Sequence, residues 1–137
     1  MSEENVELAW RASRAWNEGG IEALLSHLDP EVIWHAPQES MEPGDYRGHA
    51  GVRDYLGRLA EVFSQEQRAE RVDVIDVDAE RVIAVIRVTG RSEKFGTEID
   101  AEWAWLIKAR DGKGIEVWIF TDRAQALEAA GLASSPE

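Results

Sequence analysis

Apolar residues recur along this chain with two different periods, and each change of period marks an element. Val6, Ala9, Trp10, Ser13 and Trp16 follow helical spacing behind Ser2 as N-cap, with Glu3 and Glu4 placed to favour the positive end of the helix dipole. Gly19-Gly20 supplies a left-handed stop. Ile21, Leu24, Leu25 and Leu28 then stand at i, i+3, i+4, i+7, predicting a second short helix that closes at Asp29-Pro30. The period falls to two over residues 31–36, EVIWHA, where Val32, Trp34 and Ala36 share one face and Ile33 and His35 the other, with Pro37 as terminator. Residues 38–47 are polar with a Pro43-Gly44 turn, and read as a loop that rims or covers a pocket. From near Gly48 the helical period returns through Val52, Leu56, Leu59 and Phe63, flanked by Tyr55 and Val62.

Strands follow in succession. Residues 68–77 and 81–89 are joined by a tight Asp78-Ala79-Glu80 turn, and residues 97–121 form two apolar-alternating runs around Asp111-Gly112, the strongest local signal for a hairpin. In that hairpin Trp103, Trp105, Ile107 and Ala109 share one face and Glu102, Ala104, Leu106 and Lys108 the other; Val117, Ile119 and Thr121 oppose Glu116, Trp118 and Phe120. Both faces are apolar enough to need cover, so helices are expected on one side and something else on the other. Asp122 with Gln125 three residues on is a capping-box start for a last helix, Gly131 its stop, and residues 132–137 a frayed tail. The predicted order is α-α-β-α-β-β-β-β-α, an α+β arrangement with an antiparallel sheet, in a single domain over residues 1–137 without internal repeat or linker.

Composition narrows the function classes. The chain has 137 residues, 44% of them hydrophobic, enough for one core. The absence of cysteine removes disulfides, thiolate catalysis and thiolate-bound metal. A net charge of −12 argues against nucleic-acid and anionic-membrane partners, which need clustered Lys and Arg. The N-terminus MSEENVEL carries no secretory signal pattern and no apolar run reaches spanning length, so a cytoplasmic location is expected. The histidines have no metal-ligand spacing and the glycines make no phosphate-binding motif, so neither metal nor nucleotide cofactor is implied.

The segments ENVELAWRASRAWNEGGIEALLSHLDPEVIWHAP, YRGHAGVRDYLGRL, RDGK in the hairpin and FTDRAQALEAAGL, taken in that order, resemble the SnoaL-like family of the nuclear transport factor 2-like superfamily. The resemblance implies a cone: a strongly curved sheet, its concave side closed by three N-terminal helices around a mostly apolar pocket, with a short C-terminal helix. It also implies a homodimer through the convex face, where Trp118 and Phe120 fall, and places Trp103, Trp105, Val117 and Ile119 toward the cavity. Trp34 joins the two hairpin tryptophans as the expected wall of a site for a hydrophobic small molecule, with Tyr46, Tyr55 and Leu56 as further lining.

Family chemistries transfer poorly. The ketosteroid isomerase relatives carry an aspartate base just before the proline of the first strand, an oxyanion-hole tyrosine on the first helix and a second carboxylic acid on the strand before the last turn; these positions hold Ala36, Ala12 and Trp105. The epoxide-hydrolase carboxylate position falls near Ile119. The remaining candidates for an isomerase, cyclase or hydrolase are His35 as general base, with Tyr46 or Arg87 stabilising an oxyanion. His35 alternates out of phase with Trp34, which favours a structural role outside the cavity; His27 and His49 read as capping or solvent-facing residues. Arg87, in the apolar run VIAVIRVTG, either points inward to a ligand or pairs with Asp100 or Glu102.

Overall fold

The structure, a computed structural model, describes residues 2–36, 44–62, 68–92 and 97–131. Pro37, most of the expected pocket-rim loop, Phe63 and the tail 132–137 lie outside the described residues. The elements run α1 (Ser2–Leu25), β1 (Leu28–Ala36), β2 (Gly44–Arg47), α2 (Gly48–Val62), β3 (Arg68–Asp76), β4 (Arg81–Ser92), β5 (Thr97–Arg110), β6 (Lys113–Phe120) and α3 (Arg123–Ala129). The glycine stop is real but is a kink: the two predicted N-terminal helices run together as α1, bent at Gly20, whose φ of 71° and ψ of −146° no L side chain adopts comfortably.

The six strands form one sheet in the order β2-β1-β6-β5-β4-β3. Two features correct the expected architecture. β1 lies parallel to β6, so the sheet is mixed rather than wholly antiparallel; alternation fixes which way side chains face but not which distant strand a strand pairs with. Residues 44–47 are not loop but an edge strand antiparallel to β1, with Tyr46 opposite Trp34 and Asp45 opposite His35. Register shifts within β1, β3 and β5 mark the irregularities that bend the sheet.

The β5–β6 hairpin forms as predicted, its turn closed by Asp111 at φ 54° and Gly112 at φ 76°, the left-handed pair that a two-residue hairpin turn requires. The other turns are held by the expected acids. Asp78 Oδ1 accepts from the Glu80 and Arg81 amides at 2.9 and 2.8 Å, and Asp122 accepts from the Gln125 amide at 2.9 Å to start α3. Hydrogen bonds from these groups, the Glu80 amide foremost, hold the Asp78 carboxyl below its ordinary range.

Two apolar clusters lie on opposite faces of the sheet. The concave one packs Leu8, Ala9, Ala12, Leu24 and Leu25 of α1 and Val52, Tyr55 and Leu56 of α2 against Trp34, Val82, Ala84, Ile86, Ile107, Val117 and Ile119. The convex one gathers Ile83, Val85, Ala104 and Leu106 under Ala126 and Ala130, with half-buried Trp118 and Phe120 packed against it. The second face is thus covered in part by the chain's own last helix, a role the sequence reading gave wholly to a second subunit.

Candidate functional site

The concave face carries the aromatic wall. Trp34 is buried at 2% exposure and meets Trp105 edge to face, ring centroids 5.5 Å apart at 73°. Trp103 is half-buried on the same side. Between wall and helices lies a cavity of about 10 Å³, roughly one water molecule in size. Its floor is Trp34, Trp105, Ile107, Gly114, Val117 and Leu28; its roof is Leu8, Ala12 and Leu24 of α1, with His27 in the connection to β1. A side chain at Gly114 would crowd this floor: a Cβ there would stand 3.1 Å from Leu28 Cδ2 and 3.4 Å from Ile107 Cγ2.

Of the expected lining, Trp34, Trp105 and Val117 reach the cavity. Tyr46, Tyr55, Leu56, Trp103 and Ile119 belong to the surrounding concave cluster, where Tyr46 packs on Tyr55 at 4.6 Å between centroids and Arg58 sits over its ring at 5.8 Å. Ala12 and Trp105, standing where the isomerase relatives carry polar groups, both line the cavity. The concavity is therefore in the expected place, but apolar side chains occupy the positions from which proton transfer would be run.

Two residues with polar side-chain atoms stand at this cavity, although the surface that lines it is apolar. The first is Trp34, whose buried indole N–H meets no acceptor among the described residues. A buried amide-type donor without a partner costs on the order of 1–3 kcal/mol, so the core carries a cost that packing alone does not explain. The second is His27, which sequence reasoning set aside as a helix-end residue. Its backbone is fixed by bonds from its own amide to Leu24 O and from the Gly114 amide to His27 O, both 3.0 Å, and this sets the residue at the cavity wall. Burial, then the charges of Arg11 and Lys113, push its pKa below the ordinary 6.5, so the ring is neutral at pH 7 with one donor and one acceptor nitrogen. Its one legible signal was sequence position, between the apolar series of α1 and the first strand.

The three catalytic candidates do not converge. His35 faces the convex side, as its alternation implied: Nδ1 lies 2.7 Å from Asp45 Oδ1, Nε2 2.7 Å from Glu116 Oε2, and the ring stacks on Trp118 at 5.2 Å. It clasps three strands together. Arg87 is also on the convex face, exposed and paired with Asp100 through bonds of 2.7 and 2.6 Å; that pairing raises the arginine's pKa and lowers the aspartate's. Tyr46 alone is concave, carried by a strand and not by a lid. An active site with His35 as base and Tyr46 or Arg87 as oxyanion partner is therefore split across the sheet. His49 Nε2 donates to Leu28 O at 2.8 Å and ties the start of α2 to β1.

Among the described residues no cluster of His, Asp and Glu could hold a metal ion, and no helix is long and apolar enough to cross a membrane. Solved structures share the fold. Bal32a, from a soil-derived mobile gene cassette, is 25% identical with a TM-score of 0.75, over 86% of this chain and 88% of its own. TerC, co-crystallised with polyporic acid, is 22% identical with a TM-score of 0.75, over 93% of this chain and 98% of its own. A nuclear transport factor 2-like protein from Burkholderia xenovorans is 24% identical with a TM-score of 0.68, over 93% and 95%. No curated protein is significantly similar to the chain. The SnoaL-like domain model matches residues 9–117, spanning α1 through most of β6, and the chain belongs to the SnoaL-like family.

Proposed function

We propose that this protein binds a small, largely apolar molecule in the hollow between α1 and the concave face of the sheet. The aromatic-walled, apolar recess itself carries the proposal: Trp34 and Trp105 stand edge to face in its wall beneath Leu8, Ala12 and Leu24, the kind of lining typical of small-molecule sites. TerC, alike in fold, was crystallised with a small molecule, which lends the reading support. Because the cavity measures about 10 Å³, a ligand larger than water enters by moving half-buried wall residues such as Trp105. Tryptophan fluorescence titrated with a panel of hydrophobic aromatic ketones tests this. A saturable change that is lost in Trp105→Ala is expected, and no response across the panel would sink the proposal.

The same small volume favours a second reading, a structural module whose hollow is filled by its own side chains. The isomerase, cyclase or epoxide-hydrolase reading retains, among the described residues, only His27 as a titratable residue in the cavity wall. A homodimer through the convex face belongs to the proposal as well. Trp118 and Phe120 are only half-buried there, and Trp118→Glu should then halve the particle mass in sedimentation. An unchanged mass would remove the dimer.

A further inference from the structure

We infer that residues 2–19 of α1 form a lid over the hollow, pivoting at Gly20 and latched by Asn5 to the turn between β3 and β4. The motion stands on the geometry of α1 alone; what it admits rests on the binding reading above.

The two parts of α1 are fastened differently. At Gly20 the backbone leaves the helix, and a Cβ there would meet nothing within 4 Å. The glycine therefore serves backbone freedom and not packing, and the bend has open space around it. Beyond it, residues 21–27 are tied to their surroundings. Arg53 of α2 donates to both carboxylate oxygens of Glu22, Lys113 Nζ to Ser26 O at 3.3 Å, and the Gly114 amide to His27 O at 3.0 Å. Before the bend, the helix buries two polar residues, Asn5 and Ser13. Ser13 Oγ donates to Ala9 O of its own helix at 3.1 Å, so it travels with the helix and loses no bond. Asn5 Nδ2 instead donates across to Ala79 O at 2.9 Å, roughly 22 Å of helix away from the pivot. Leu8, Ala9 and Ala12 meet the concave cluster through apolar contact, which has no fixed direction. Leu8 and Ala12 are also the roof of the cavity, and they stand roughly 12–18 Å from Gly20. A hinge swing of about 10° lifts them by about 2–3 Å. The closed roof leaves about 10 Å³, whereas the lifted one opens a slot toward Trp34 and Trp105.

Thiol labelling of the full chain reads this motion without any ligand, because the protein has no cysteine of its own. Ala12→Cys puts a thiol on the lid at a site 5% exposed; Ala104→Cys puts one under α3 on the convex face, and Leu25→Cys one beyond the pivot. The rate with dithiobis(nitrobenzoate), divided by the rate for the urea-unfolded chain, gives the fraction of molecules in which the thiol is uncovered. For Ala104→Cys and Leu25→Cys that fraction should equal the globally unfolded fraction from each variant's own urea curve. For Ala12→Cys it should exceed the unfolded fraction at least about tenfold. Asn5→Leu removes the latch and keeps a side chain of similar size. It should raise the Ala12→Cys excess a further roughly fivefold, the effect of one hydrogen bond, and leave Ala104→Cys at its global value. An Ala12→Cys thiol uncovered only by global unfolding would overturn the lid. A Leu25→Cys thiol uncovered as often as Ala12→Cys would overturn the pivot, and an unchanged excess in Asn5→Leu would overturn the latch. Should Ala12→Cys fail to fold, Ala9→Cys, at 1% exposure, takes its place. An opening lid in a protein whose fluorescence answers no ketone removes the ligand and keeps the motion; a fluorescence response with Ala12→Cys at the global limit removes the lid alone.

Discussion

Replacing Trp34 by phenylalanine pits two terms of similar size against each other, and the balance reports whether the indole N–H is unpartnered in solution. The indole is larger than the phenyl ring by roughly three heavy atoms; at about 0.8 kcal/mol per buried methylene-sized group, their loss costs about 2–3 kcal/mol. The substitution also removes a buried donor that meets no acceptor, which returns about 1–3 kcal/mol. The edge-to-face contact on Trp105 survives, since phenylalanine keeps a ring at that position. The net expectation is a change within about 1 kcal/mol. Trp34→Ala, which leaves a void at a 2%-exposed site, should cost about 3–5 kcal/mol. Urea unfolding followed by far-UV circular dichroism measures both. With a slope near 1.5 kcal/mol per molar, the phenylalanine variant should shift the midpoint by less than about 0.7 M. A loss above about 3 kcal/mol would refute the reasoning, because it would mean that the N–H is bonded in the native protein and that its removal strands an acceptor.

Further expectations bear on other parts of the structure. Gly114→Ala sets a methyl against Leu28 and Ile107 and should cost about 1–3 kcal/mol in the same unfolding assay; a neutral result would mean that the cavity floor is looser than described. His35→Phe keeps the stack on Trp118 but loses both carboxylate bonds, so it should lower stability by about 1 kcal/mol and leave ligand-induced fluorescence unchanged; a lost response would return His35 to the site. Burial lowers the His27 pKa in the folded state, so the unfolded chain takes up the proton first. The His27 contribution to stability is full above pH 6.5 and declines as pH falls from 6.5 toward the folded value. Midpoints measured from pH 7.5 down to 5 should therefore fall more steeply for wild type than for His27→Gln, and parallel curves would contradict the burial of that ring.

Local chemistry was the legible part of the fold. Asp111-Gly112, Asp78 and the Asp122–Gln125 pair each act through neighbours a few residues away, so their turns and cap could be read directly. Alternation likewise separates Trp34 from His35, and the resemblance to the family, not the pattern, implied which side of the hairpin is concave; Trp34 and Trp105 lie in the concave cluster and Trp118 in the convex one. What escaped was long-range. The parallel pairing of β1 with β6 joins strands far apart in sequence, and β2 is four residues whose outward Asp45 and Arg47 look like loop composition. The cover supplied by Ala126 and Ala130 was hidden because alanine carries little patterning signal. At the site, the wall was legible but the polar groups were not: the loneliness of Trp34 Nε1 depends on everything around it, and His27 reaches the cavity through backbone bonds to Leu24 and Gly114.

A crystal structure of the protein grown with an aromatic ketone that changes its tryptophan fluorescence tests the concave, tryptophan-walled hollow most directly. The ketone should lie against Trp34 and Trp105 beneath α1. Density for the ketone against Trp118 and Phe120 on the convex face would contradict it.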